Sequence, residues 1–310
     1  MTRITILMAS YNGAAHIGAQ LESLAAQSHA DWRLIVSDDG SRDATCAIID
    51  AFAARFPSGQ IRRVEGPRQG ATVNFLTLLT DPQIAQETAG DFIAFADQDD
   101  IWHPDKLAKA LETLATLPED AATLYGCRVN IITEDGQFLR QGPKRPRGPS
   151  LQNAMVQNIV GGHGAVLSPA GAALLRAATQ PPFAAFHDWW LYLMIMAAGG
   201  VVVLDPEVRL DYRQHDANVL GTNHHLGAKL KRLRWLGSRD ISRWIGENIA
   251  ALEGAMPYLT PQARAFLADF KQMRAQRGFA ALRTLHRLKL HRQSRLQSLA
   301  LQWGAWRGQL

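Results

Sequence analysis

Two hydrophobic periods alternate along the first part of the chain. Arg3–Ser10, Trp32–Ser37, Ile61–Val64 and Phe92–Ala96 are short apolar runs that read as strands. Ala14–Gln27, Asp43–Phe56 and Ala71–Leu79 carry apolar residues at helical spacing, with Ser41 placed to cap the second of them. Strand and helix in repeated succession predict an α/β fold, a mostly parallel sheet with helices on both faces. The uncharged run from Trp189 to Leu204 is divided by Gly199-Gly200 and bracketed by Asp188 and Asp205. It reads as a buried helix followed by a buried strand, not as a membrane span. Near Gly221-Thr222-Asn223 strand-like patterning gives way to helical patterning, which predicts an α/β domain over residues 1–222 and a helical region over 223–310.

Composition narrows the class. A chain of 310 residues with 47% hydrophobic content buries one substantial core plus an appendage. Met1-Thr2-Arg3 leads straight into the short run Ile4–Ala9, which lacks the length and flank of a secretory leader. Cys46 and Cys127 give no disulfide framework, so the expected compartment is a reducing cytoplasm.

The net charge of +5 conceals an asymmetry: residues 225–310 carry 16 Lys+Arg against 4 Asp+Glu, and the remainder is acidic. Leu282, Leu285, Leu288, Leu296, Leu299, Trp303 and Trp306 recur at helical spacing within this basic region, with Arg292 interrupting the stripe. Leu226, Leu230 and Leu233 form a shorter stripe beside Lys229, Lys231, Arg232 and Arg234. Such helices suit an anionic membrane surface, or packing on the α/β domain or on a second subunit. The segment Arg140–Pro149, rich in Pro, Gly and positive charge, reads as a mobile surface loop.

The candidate chemistry lies where strands end. Asp97-Gln98-Asp99-Asp100 follows the strand Phe92–Ala96, Asp38-Asp39-Gly40-Ser41 follows Leu34–Val36, and Ser10-Tyr11-Asn12-Gly13 follows the first strand. In parallel sheets such loops converge on one crevice at the carboxyl ends of the strands. Adjacent carboxylates repel one another, and oxygen ligands suit Mg²⁺ or Mn²⁺; the competing reading is a set of acidic caps for the following helices. No GxGxxG or Walker-type loop occurs, which counts against a dinucleotide dehydrogenase or a P-loop NTPase. A nucleic-acid-binding protein with a basic arm would explain the tail but not three acidic turns at one end of a sheet, so no nucleic-acid partner is expected.

Five motifs in order carry a family resemblance: Ala9-Ser10-Tyr11-Asn12, Ser37-Asp38-Asp39-Gly40-Ser41, Ala96-Asp97-Gln98-Asp99-Asp100-Ile101-Trp102, His187-Asp188-Trp189-Trp190 and Tyr212-Arg213-Gln214-His215. Over about residues 3–220 the chain resembles inverting family 2 glycosyltransferases of the GT-A fold, most of all the rhamnosyltransferase-like members. The resemblance implies a nucleotide-sugar-binding half over about 1–100 and an acceptor half over about 101–222. It implies metal-dependent inverting transfer of a sugar, L-rhamnose from dTDP-rhamnose, to a glycan or lipid-linked acceptor in bacterial surface polysaccharide synthesis. That places the work in the cytoplasm or at the cytoplasmic face of the inner membrane. A UDP-hexose donor and a nucleotidyltransferase are the neighbouring alternatives.

Residue by residue, Asp97 and Asp99 match the family's DxD pair, with Asp99 the implied metal ligand and Asp97 facing ribose or sugar. His215 is a second candidate for metal or diphosphate. Asp100 is left as a ligand, a donor or acceptor contact, or the cap of the next helix. Ser10, Tyr11 and Asp39 belong to the implied nucleoside site, where Asp39 can accept the ring N–H shared by uracil and thymine; Arg68 and Asn74 support the nucleotide end. Asp188 is the candidate general base, since desolvation beside Trp189 and Trp190 makes a carboxylate a better proton acceptor. Trp102, His163, His187 and Trp189 complete the candidate contacts to donor or acceptor.

Overall fold

The computed structural model describes residues 2–181, 183–214 and 239–310. Four strands form the first half of one sheet: β1 (Ile4–Ser10), β2 (Trp32–Asp38), β3 (Ile61–Glu65) and β4 (Phe92–Ala96). All are parallel, in the order β3-β2-β1-β4. Helices α1 (Ile17–Ala25), α2 (Thr45–Ala53) and α3 (Ala71–Thr80) follow β1, β2 and β3, and α4 (Pro82–Glu87) precedes β4. Ile4, Ile6, Leu7 and Met8 are fully buried, the pattern of a central parallel strand covered on both faces. Helix α2 begins at Thr45 instead of following a Ser41 cap, because the Ser41 hydroxyl is spent on Asp38 and the Asp43 carboxylate receives the Thr45 N–H.

The second half of the sheet is mixed, a departure from the mostly parallel arrangement expected. It comprises β5 (Ile101–Trp102), β6 (Thr123–Ile132), β7 (Phe138–Gln141), β8 (Val166–Leu167) and β9 (Val201–Arg213). The short strand β8 runs antiparallel to both β4 and β6, β6 is parallel to β9, and β9 is antiparallel to β5. Helices α5 (Lys106–Leu114) and α7 (Pro169–Ala178) belong to this half. A two-residue strand carries too little pattern to reveal its direction in the sequence.

By internal contacts the chain divides into two compact units interleaved in sequence. The first holds residues 1–144, 160–179 and 200–215, and the second holds 145–159, 180–199 and 216–310. The second contains α6 (Leu151–Ala154), α8 (His187–Ala197), α9 (Arg239–Gly254), α10 (Pro261–Arg274), α11 (Gly278–Arg287) and α12 (Arg295–Arg307). The reason is visible in α8: Trp189 through Ile195 are all buried, so this helix needs neighbours on every side. Within the unit, Trp189 Nε1 donates to the Ala154 carbonyl at 2.6 Å, Tyr192 Oη to Ser150 O at 3.0 Å, and Thr260 N to Ala197 O at 3.0 Å. Residues 145–149 of the basic segment read as a mobile loop belong to this unit, where Arg147 N donates to Gln293 Oε1 and its guanidinium to Arg292 O, each at 3.1 Å.

Lys106 is fully buried at the start of α5 in the first unit. Its ammonium lies 3.3 Å from the Trp102 ring centroid and has no hydrogen-bond partner among the described residues. Burial lowers its pKa to about 8 against the opposing pull of Cys127 and Asp100, and burial pushes the Cys127 thiol up to about 11. The unfolded lysine holds its proton above the pH at which the folded one releases it, so stability rises as pH climbs past 8. Cys127 acts in the opposite sense above its ordinary value of 9. Chemical denaturation is therefore expected to show wild type gaining about 1 kcal/mol between about pH 7.5 and 9, a rise absent from Lys106→Met.

Candidate active site

Strand register assembles the site. Ser10 pairs with Asp38 across β1 and β2, and Met8 pairs with Ala96 across β1 and β4, so the loops after these three parallel strands leave from the same edge of the sheet. Asp38 organises the second loop. Its carboxylate accepts from Ser10 Oγ at 2.8 Å, from the backbone N–H groups of Gly40 and Ser41 at 3.1 and 2.7 Å, and from Ser41 Oγ at 2.6 Å. Burial would raise its pKa, but these hydrogen bonds outweigh burial and hold the carboxyl below its usual value.

Asp39 is 8% exposed, and its two oxygens accept the backbone N–H groups of Arg68 at 2.6 Å and Gly70 at 2.8 Å. Each oxygen keeps a lone pair beyond those bonds. The Arg68 side chain itself is exposed. Asn74 is buried; its amide nitrogen donates to Ser37 O at 2.9 Å and its oxygen accepts from Ser37 Oγ, so it reaches the loop through β2. Tyr11 is half exposed at the end of β1.

Gln98 ties the first loop to the acidic turn, a role with no local signature in the sequence. Its side-chain oxygen accepts from Tyr11 N at 2.9 Å and its nitrogen donates to Tyr11 O at 3.0 Å. A Cβ added at Gly13 would lie 2.2 Å from the Gln98 side-chain oxygen, so the loop can approach this closely only with glycine there.

The acidic turn is gripped from β9. Arg213, 6% exposed, donates from Nε to Asp99 O at 3.0 Å and from a terminal nitrogen to Glu134 O, while its backbone N–H lies 3.4 Å from Asp100 Oδ1. The pairing of Ile101 with Asp211 and Trp102 with Leu210 brings the two segments together. Asp100 is fully buried, and its Oδ2 has no hydrogen-bond partner among the described residues. Burial pushes its carboxyl well up, His163 opposes this, and the nearby charges of Asp97 and Asp99 add to the rise.

Asp97, Asp100 and His163 each offer a ligand atom, and these atoms lie within 4.8 Å of one another. His163 stands on the tight turn Gly162–Gly164, with Nδ1 3.7 Å from Asp97 Oδ2 and its ring 4.9 Å from the Tyr212 ring. A Cβ at Gly161 would lie 2.6 Å from the imidazole, so glycine makes room for the ring. A buried carboxylate oxygen with no donor, beside a second carboxylate and an imidazole, is a group that could hold a divalent cation. Of the expected pair Asp99 and His215, Asp99 is half-buried next to Asp100 in the chain, and His215 lies outside the described residues. Trp102, expected near a ligand, is 2% exposed in the core under Lys106.

In the second unit, Asp188 lies in the first turn of α8, half-buried, its Oδ1 accepting the Trp189 N–H at 2.7 Å. His187 precedes it and is also half-buried, whereas Trp189 is buried with its indole N–H spent on Ala154.

A family model for glycosyl transferase family 2 matches residues 5–180, more than half of the chain. The chain belongs to glycosyl transferase family 2. The dTDP-rhamnosyl transferase RfbG of Shigella flexneri is 27% identical over 263 residues, which cover 80% of this chain and 84% of that protein. The putative teichuronic acid biosynthesis glycosyltransferase TuaG of Bacillus subtilis is 26% identical over 158 residues, 51% of this chain and 59% of that one. Among solved structures, the mannosyltransferase PcManGT of Pyrobaculum calidifontis, in complex with GDP-Man and Mn²⁺, aligns over 98% of this chain and 87% of its own, with a TM-score of 0.53 and 17% identity. S. aureus TarS 1–349 in complex with UDP aligns over 80% of this chain and 65% of its own, with a TM-score of 0.54 and 15% identity. These two share the fold, which is the GT-A glycosyltransferase fold that the motifs imply. This family 2 chain is a glycosyltransferase.

Proposed function

We propose that the protein is a metal-dependent inverting glycosyltransferase that moves a deoxyhexose, L-rhamnose from dTDP-rhamnose, to a glycan or lipid-linked acceptor in surface polysaccharide synthesis. The observation that carries this reading is the Asp97–Asp100–His163 group at the strand edge that also presents Tyr11 and Asp39. The choice of sugar is supported by the relative named a dTDP-rhamnosyl transferase, and the polysaccharide context by the one named for teichuronic acid biosynthesis.

In this reading Asp39 accepts the ring N–H of a thymine or uracil through a lone pair that Arg68 N and Gly70 N leave, and the Tyr11 ring, half exposed, lies against the base. Asp97, Asp100 and His163, with Asp99 from the DxD pair, would hold Mn²⁺ or Mg²⁺. A bound divalent cation neutralises charge developing on the departing diphosphate oxygens. Asp188 takes the acceptor hydroxyl proton as that oxygen bonds to the anomeric carbon, the bond from that carbon to the diphosphate oxygen breaks, and the configuration inverts. Because uracil and thymine share the ring N–H, a UDP-hexose donor is the second reading.

Thermal melting of the full chain with dTDP-rhamnose, UDP-glucose, UDP-galactose and GDP-mannose, each with and without Mn²⁺, tests the reading. The expected result is stabilisation by dTDP-rhamnose that requires the ion, about 2.7 kcal/mol at a hundredfold excess over Kd. A shift with UDP-sugars alone would replace the donor, and no shift with any donor would remove the nucleotide-sugar site.

A further inference from the structure

Helix α12 presents an apolar face to solvent. Leu296, Leu299, Trp303 and Trp306 fall within an arc of roughly 80° at 3.6 residues per turn, and this is the exposed face: they are 59%, 60%, 57% and 41% exposed. The packed face carries Leu301, Gly304 and Ala305 instead. Folding has therefore buried Leu301 with two small residues and left four large apolar side chains in water. Trp303 and Trp306 stack at 5.2 Å, and Phe279 of α11 is 80% exposed. Phe279 follows Gly278, whose added Cβ would meet Trp306 Nε1 at 3.8 Å, so the patch continues onto α11.

The stripe expected from the sequence splits at this point. Leu285 and Leu288 turn into the core of the second unit and Leu282 is half-buried, while the last four positions turn outward. Arg292, which interrupts the stripe, is itself buried and donates to Val156 O at 3.0 and 2.7 Å.

The charge around the patch identifies its occupant. From Phe270 to Leu310 there are nine Lys and Arg and no Asp or Glu. Arg295 and Arg307, both exposed, flank the apolar arc on its two sides. A second copy docked through the same patch would face these arginines with arginines and offer no Asp or Glu from this segment in return. A surface that is apolar below and anionic above matches both features, with Trp at the boundary and Arg reaching the headgroups.

We infer that Phe279, Leu296, Leu299, Trp303 and Trp306, flanked by Arg295 and Arg307, form a docking face for an anionic lipid surface. The inference rests on the proposed lipid-linked acceptor for its purpose but not for its test.

Vesicle co-sedimentation of the full chain is expected to show binding to phosphatidylcholine mixed with about one-third phosphatidylglycerol, weak binding to phosphatidylcholine alone, and a blue shift of tryptophan emission on binding. Leu299→Ser with Trp303→Ser, and separately Arg295→Glu with Arg307→Glu, are each expected to lower anionic-vesicle binding about tenfold or more, with the donor-induced melting shift unchanged. Failure of the wild type to bind anionic vesicles would overturn the inference, as would equal binding by the arginine variant. A wild type dimeric by light scattering and dissociated by Leu299→Ser with Trp303→Ser would assign the face to a second copy instead. Donor stabilisation is read separately, so losing the lipid result leaves the transfer reading intact and the converse also holds.

Discussion

Asp188→Asn is expected to slow sugar transfer by about 10²–10⁴-fold, the range for loss of a general base, while donor binding stays near wild type. The substitution is nearly isosteric, and its remaining side-chain oxygen can still accept the Trp189 N–H that the carboxylate accepts at 2.7 Å. Helix α8 should therefore keep its first turn, and a melting curve would confirm that. What the amide cannot do is take a proton from an acceptor hydroxyl. The split between an unchanged donor melting shift and a collapsed kcat is the signature sought. A variant with near-normal turnover would remove Asp188 from the chemistry and leave it as an acidic residue favoured at a helix N-terminus.

The parts of this site that sequence revealed are those encoded locally. An apolar run followed by Asp-rich residues is legible, and β1, β2 and β4 end within two residues of the end of the hydrophobic pattern. Parallel pairing then places their loops on one edge, as the strand–helix alternation implies. Residues that act across long sequence separation were not legible in the same way. Gln98 clamps Tyr11, and Arg213 reaches the Asp99 carbonyl from β9. Neither contact leaves a periodicity or a spacing to read, because each depends on which strands become neighbours.

The burial of Asp100 has the same origin. In DxDD every carboxylate looks equivalent, but the β5 to β9 pairing begins at the next residue, Ile101, and draws Asp100 inside while Asp97 and Asp99 stay half-buried. The sequence also could not say that Trp102 would be spent on Lys106, or that the last Leu and Trp positions would face outward. In both cases tertiary packing decides which face of an element is covered, and the hydrophobic period alone gives only the faces.

Asp100→Asn separates the proposed ligand Asp100, which the structure groups with Asp97 and His163, from the DxD pair implied by the motif. Losing a cation that stabilises a departing diphosphate costs several kcal/mol of barrier, so transfer is expected to fall by about 10³-fold or more if a ligand is removed. Asp100 carries a buried oxygen without a donor and a carboxyl pushed up by burial, which makes it costly to the empty protein. Its amide variant should therefore melt higher than wild type without metal, lose the Mn²⁺-induced shift, and lose activity. Asp99→Asn is expected to lose activity with no such gain in the metal-free melting temperature, since Asp99 is only half-buried. Stability gained together with function lost is what a strained, ligand-ready carboxylate predicts. Should Asp100→Asn keep both the Mn²⁺ response and turnover, Asp100 is a buried structural acid, and the cation then rests on Asp97, Asp99 and His163.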